Sequence, residues 1–207
     1  KEVCARNGWN FKAQPVNWDA KDAELNGGAV TCLWNGFTKE GREKSYTFSE
    51  PYMLNGQVVV VKADKASEYG TLDALAGKTV VTQVDSSALE VLQGAKADLN
   101  ASFAGGAVNQ VSDYNAAFMD LQSGACDAVA CDLSIAEYQM SANPGAYAVL
   151  KDTLSDEHYA VGFAKGNTEL ADAVTETLRE MNADGTVKAL CDKYAEYGIS
   201  YENWTLK

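Results

Sequence analysis

The chain is poor in the residues that catalysis and metal binding use most. Among 207 residues there is one histidine, His158, so any Ser-His-Asp or Cys-His mechanism would have to use it. It sits beside Tyr159 where a loop meets a strand, and no Gly-x-Ser-x-Gly elbow exists to place a nucleophile near it. There is no Gly-x-Gly pair and no Gly-x-x-x-x-Gly-Lys loop, so the usual phosphate cradles are absent. None of the five cysteines forms a Cys-x-x-Cys pair. Apolar runs such as Val58–Val61 fall far short of the ~18 residues that span a bilayer. Basic runs are missing too. Lys plus Arg is 17 against 29 Asp plus Glu, a net charge of −12, which argues against nucleic acid and anionic membrane surfaces as partners. With only three prolines and 46% hydrophobic residues, the chain is not of disordered composition.

What is present suits one large domain or two small lobes with a substantial core. Lys1–Gly8 reads as the last turns of a helix stopped by Gly8. Strands are expected at 11–16, 29–34, 57–62, 79–83, 127–131 and 160–163. Helices are expected at 19–25, 87–99, 113–122, 133–140, 168–182 and 186–196, with a helical turn at 72–75. Asp113 caps its helix and Gly124 stops it. Strands alternating with helices give an α/β architecture with largely parallel sheets. Cys32, Cys126 and Cys131 sit in apolar runs and read as buried thiols. Cys126 and Cys131 flank one strand five apart, which places them on opposite faces and against a zinc site.

Three places where a strand gives way to a polar loop stand out, each with two readings. After the strand ending at Trp34 come Gly36, Phe37, Thr38 and Arg42; the Arg is a surface charge or a planar fork for a carboxylate. After Gln83 come Ser86 and Ser87, an ordinary N-cap or a seat for an anion. Asp132 ends another strand, either capping the next helix or facing a cationic group. Trp18 is core or an exposed aromatic wall. Taken together, a guanidinium, a run of N–H donors, a carboxylate and an aromatic are the set an α-amino acid zwitterion requires.

These stretches carry a resemblance. Trp34-Asn-Gly-Phe-Thr38, Gly41-Arg42, Tyr46-Thr-Phe-Ser-Glu-Pro-Tyr52 and Val58-Val-Val-Val-Lys62 form its strongest part. Gly77-Lys-Thr-Val-Val81, Ser86-Ser-Ala88, Asp127-Ala-Val129 with Asp132, Tyr159-Ala-Val-Gly-Phe-Ala-Lys-Gly166 and Asp184-Gly-Thr186 continue it. Over essentially its whole length the chain resembles the amino-acid-binding extracytoplasmic solute-binding proteins of bacterial ABC transporters, of the family 3 type. The resemblance implies a two-lobed periplasmic-binding-protein (type II) clamshell with mostly parallel sheets flanked by helices. Lobe 1 would be residues 1–52 and 160–207, lobe 2 residues 57–155, and two hinge strands 53–56 and 156–159.

It further implies that Arg42 pairs with the ligand carboxylate, helped by Thr38 and by the N–H groups of Ser86 and Ser87. Asp132 and the Gly36 carbonyl would take the ammonium, Trp18 would stack on the ligand, and Gln83 would read its side chain. Phe37 belongs to the same ligand loop. The implied partners are a free amino acid and a membrane permease, with no cofactor, no metal and no catalysis. The implied location is the periplasm, or a lipid-anchored place on a Gram-positive surface.

The family begins with a strand and an aromatic loop, whereas this sequence opens inside a helix. Lobe 1 is therefore expected to be incomplete, with a sheet edge open to a complementary N-terminal segment or a second chain. Cys4 and Cys32 are the pair to examine for a bridge. Two alternatives share the fold: a prephenate- or arogenate-type dehydratase, and an amino-acid sensor domain cut from a receptor.

Overall fold

The computed structural model describes residues 1–207, which divide into two compact units, Lys1–Asn55 with Glu157–Lys207 and Gly56–Asp156. The first unit begins with α1 (Glu2–Arg6), α2 (Lys21–Asn26), β1 (Leu33–Thr38) and β2 (Tyr46–Phe48). The ten-residue β3 (Met53–Lys62) carries the chain into the second unit. There follow β4 (Val80–Gln83), α3 (Ser87–Gln93), α4 (Ala97–Ser102), β5 (Asn109–Val111), α5 (Tyr114–Ser123), β6 (Ala128–Asp132), α6 (Leu133–Ala142) and β7 (Tyr147–Val149). A second ten-residue strand, β8 (Ser155–Ala164), returns the chain to the first unit, where α7 (Thr168–Ala183) and α8 (Thr186–Lys193) complete it. No helix is long and apolar enough to cross a membrane.

The second unit is built on a run of valines. In β3, Val59 and Val61 enter one apolar cluster with Leu75, Leu89, Leu92 and Phe103, while Val58 and Val60 enter another with Phe118, Leu121 and Ala136. Facing β3, β6 alternates likewise: Ala128 and Ala130 join the first cluster, Val129 and Cys131 the second. Both faces of this sheet are thus covered, which explains an apolar run with no polar alternation. Val60 pairs with Val129 of β6 and with Val149 of β7, so β3 lies between them. Parallel pairing of β4 with both β6 and β5 extends the order to β7-β3-β6-β4-β5. Asp113 accepts the Ala116 N–H at 3.0 Å and caps α5, as expected.

In the first unit β8 is the central strand. Gly162 lies opposite Leu33 of β1 on one side and Phe48 of β2 on the other, both antiparallel. A Cβ on Gly162 would stand 2.6 Å from the Phe37 ring, so only glycine lets that ring lie flat across β8. One apolar cluster gathers Val3 of α1 with Val161, Phe163, Val174, Leu178, Val187 and Trp204; a separate one gathers Leu25, Leu33, Phe37 and Tyr46. Arg6 pairs with Asp184 at 2.7 Å and donates to Thr186 at 3.0 Å, tying α1 to the turn before α8.

The class expected from the sequence, α/β with helices flanking the sheets, is the one observed, but the strand pairing is mixed. Within each unit only the β4 pairings are parallel; β3 and β8 run antiparallel to the strands beside them in their own units. Residues 11–16 form no strand, since that extended stretch finds no partner. The expected strand at 29–34 is displaced to Leu33–Thr38. The expected helix at 87–99 divides where Gly94 leaves the helical region at φ −110 and ψ −100. Cys126 precedes β6, outside the strand's alternation, so it shares one cluster with Cys131 instead of facing away from it.

Leu121 is wholly buried in the β3/β6 cluster under α5. Leu121→Ala is expected to lower the unfolding free energy by about 2–5 kcal/mol, read from urea denaturation.

Candidate functional site

In the first unit the residues singled out from the sequence gather at the end of β1. Between the pairs Leu33↔Gly162 and Phe37↔Ala160 the strand advances four residues while β8 advances two, which makes a bulge. Gly36 lies within it at φ +80, and a Cβ there would meet the Tyr159 ring at 3.0 Å. The bulge takes residues of β1 out of the regular ladder at this point.

Phe37 turns its side chain into the core. Its side chain is fully buried and ringed by aromatics, with Tyr46 at 5.0 Å, Trp18 at 5.3 Å and Phe48 at 5.4 Å between centroids. The ring is core, so Phe37 can offer a ligand only its backbone. Arg42 is buried and lays its guanidinium 5.0 Å from the Phe37 centroid. That cation–π contact holds the guanidinium against the Phe37 ring. Trp18 is half-buried, packed edge-on against Phe37, with the Lys21 ammonium 5.2 Å from its ring.

Thr38 was foreseen, its partner was not. Its hydroxyl donates to Glu157 at 2.6 Å, and the Asn55 amide donates to the same oxygen at 2.7 Å. Thr38, Asn55 and Glu157 are all buried, and they come from β1, β3 and β8. No sequence spacing links them. Glu157 lies in the polar opening of β8, Ser155–His158, where nothing local sets it apart.

In the second unit the expected residues stand at the ends of β4 and β6. Asp85 is the one non-glycine residue with positive φ, at 54°, where β4 turns into α3. Ser86 is the N-cap of the seven-residue α3: its Oγ accepts the Leu89 N–H at 3.2 Å and lies 3.2 Å from Thr82 Oγ1. The cap reading of Ser86 is therefore met. Ser87, also buried, is the first helical residue. Gln83 is half-buried and donates to the Ser112 carbonyl at 3.1 Å, which fixes its amide at the edge of the β4–α3 loop.

Asp132 occupies the N-cap position of α6, yet its side chain makes no capping bond. One carboxylate oxygen instead accepts the Gln57 amide at 2.8 Å, and Gln57 is wholly buried. Tyr114 stands near: burial first, then the Asp132 charge, push its phenol well above the ordinary value, so it stays protonated. Gln57 and Tyr114 escaped the sequence reading because each belongs to another element.

Fold and sequence together are those of a solute-binding protein. The chain matches the family described as Bacterial extracellular solute-binding proteins, family 3, over residues 1–197, and it belongs to that family. It is 29% identical over 195 residues to the L-cystine-binding protein TcyJ of Escherichia coli K12, covering 94% of this chain and 71% of that protein. It is 27% identical over 200 residues to the L-cystine-binding protein TcyA of Bacillus subtilis 168, covering 96% and 71%. A histidine-bound substrate-binding protein of an ABC uptake transporter from Streptococcus pneumoniae superposes with a TM-score of 0.89 at 30% identity, covering 97% of this chain and 82% of that one. The fold is thus the type II solute-binding fold.

His158 is engaged away from these groups. Glu40 accepts its backbone N–H at 3.0 Å and meets its Nδ1 at 2.8 Å. Partial burial works against the Glu40 charge, but the two His158 contacts outweigh it and hold the carboxyl below its ordinary 4.5. A depressed folded pKa stabilises the fold fully above the unfolded value and ceases to as pH falls through the folded one. Glu40→Gln is therefore expected to flatten the fall of the urea midpoint below about pH 4.5, compared with the unaltered chain.

Proposed function

We propose that this chain is the extracytoplasmic receptor of an ABC transporter, binding a free amino acid and delivering it to a membrane permease. The observation that carries the reading is Asp132. A carboxylate at the end of a buried strand, steadied by a buried amide, suits a ligand ammonium. The names of the relatives support it: TcyJ and TcyA are binding proteins for L-cystine, and the Streptococcus pneumoniae protein holds histidine. Those names also support a receptor that does no chemistry on its ligand.

In this reading the ligand joins the two units. Arg42 takes the carboxylate through its fork, aided by the Thr38 hydroxyl and the N–H groups of Ser86 and Ser87. Asp132 and the Gly36 carbonyl take the ammonium, Trp18 lines the side chain, and Gln83 meets its far end. Bending at residues 53–56 and 156–159, where β3 and β8 change units, would close lobe 1 (1–52 and 160–207) and lobe 2 (57–155) on the ligand. The place of action is the periplasm or a lipid-anchored position on a Gram-positive surface.

A further partner is proposed at the free edge of β1. This strand pairs only with β8, and beside it lies an apolar groove of about 300 Å³ lined by Trp34, Tyr52, Val187, Leu190, Tyr194 and Trp204. An extended, apolar N-terminal segment or second chain would satisfy both edge and groove.

Thermal shift against the common L- and D-amino acids, with cystine and histidine included, tests the function. A ligand at 100 times its Kd is expected to add about 2.7 kcal/mol of stability. Arg42→Ala is expected to weaken that ligand by about 2–5 kcal/mol in isothermal titration, with circular dichroism verifying the fold. Undiminished affinity in the variant would remove Arg42 from the site.

A further inference from the structure

All five cysteines are free thiols, but their surroundings differ. Cys126, Cys131 and Cys191 are buried within apolar clusters, whereas Cys4 and Cys32 are half-exposed. Cys4 lies on α1, directly after Val3, whose side chain is buried in the cluster under α7 and α8. Cys32 immediately precedes β1. The next residue, Leu33, turns into the Phe37 cluster, while Cys32 packs on the opposite side, against the cluster that contains Val3. The fold thus sets Cys32, 28 positions from Cys4 in sequence, against the same cluster that receives Cys4's neighbour Val3. The two thiols are also within electrostatic reach. Burial raises the Cys32 thiol to about 11, and the Cys4 charge adds to the rise.

We propose that Cys4 and Cys32 form a reversible disulfide that clasps α1 to the start of β1. The oxidant is a low-molecular-weight disulfide, and the extracellular setting of the family favours such bonds. Cys4, as thiolate, attacks one sulfur of the small disulfide; a mixed disulfide forms and one small thiolate leaves. Cys32 then loses its proton and attacks Cys4 Sγ, so the protein S–S bond forms and the second small thiolate leaves. Two protein thiols are oxidised by two electrons, one external disulfide is reduced to two thiols, and the two protons pass to the leaving thiolates. Cys32 is the resolving thiol because burial keeps it protonated until the mixed disulfide is beside it. The closed ring would contain α2 and Trp18, so oxidation restrains the segment that carries this aromatic. The disulfide itself does not depend on the transport reading.

The test is incubation of the full chain with oxidised glutathione, followed by thiol counting and non-reducing peptide mass spectrometry. Expected are the loss of two thiols per chain, a mass lower by two hydrogens, and one cross-linked peptide pair containing Cys4 and Cys32, all reversed by dithiothreitol. C4S and C32S should each abolish the cross-link and keep glutathione on the remaining thiol, while C191S should leave the cross-link intact. Glutathione retained on both Cys4 and Cys32, a cross-link through Cys126, Cys131 or Cys191, a disulfide-linked dimer, or no thiol loss would each overturn the proposal.

Discussion

A carboxyl group taken out of water must be met by donors, and much of the first unit is arranged around one such group. Glu157 is only 3% exposed, and it receives the Thr38 hydroxyl and the Asn55 amide on one oxygen. Three strands are pinned at that point: the end of β1, the start of β3 and the early part of β8. Leaving a buried polar group without its partner costs about 1–3 kcal/mol, more for a charged one, so these three residues act as a unit. Their register in turn decides where Gly36 bulges, where Tyr159 lies against it, and how Arg42 reaches the Phe37 ring. Polar satisfaction here positions the candidate ligand groups, while the aromatic cluster behind them supplies the adhesion.

The second unit uses a related device with a different balance. Its adhesion comes from valines and alanines alternating across β3 and β6, with helices on both faces. A buried amide beside the candidate site, Gln57, immediately precedes the valine run and holds Asp132. Asp132 is thus fixed by β3 although it belongs to β6, and α6 begins without a side-chain cap. The acidic residue at the start of α6 is thus held by a neighbouring strand and not by its own helix.

The parts legible in the sequence were those fixed by local physics. The buried run Val58–Val61, the Asp113 cap and Gly124 stop of α5, and the amphipathic α7 depend on near neighbours alone. Where the outcome depended on distant partners, reading failed. Residues 11–16 alternate like a strand but meet no ladder, and β2, β5 and β7, each three residues long, are too short to show a period. Among the ligand candidates, strand ends were recognisable because a polar loop follows an apolar run. Phe37 was placed in the ligand loop by its position beside Gly36, whereas the bulge turns its ring into the core. Glu157, Asn55, Gln57 and Tyr114 carry no local mark, since their importance arises only when strands far apart in sequence are laid side by side.

The order of segments has a consequence for how the chain acquires its structure during synthesis. The unit Gly56–Asp156 is continuous, so the whole of it is synthesised before Glu157–Lys207, the second half of the other unit. The other unit is interrupted, and its central strand β8 is among the last segments to emerge. Until then Leu33 and Phe37 lack the strand they will lie against, and a wet aromatic cluster must be kept from straying. The insertion that separates the two halves thus sets a fixed sequence of assembly, in which a finished inner body is in place before the outer one can close its sheet.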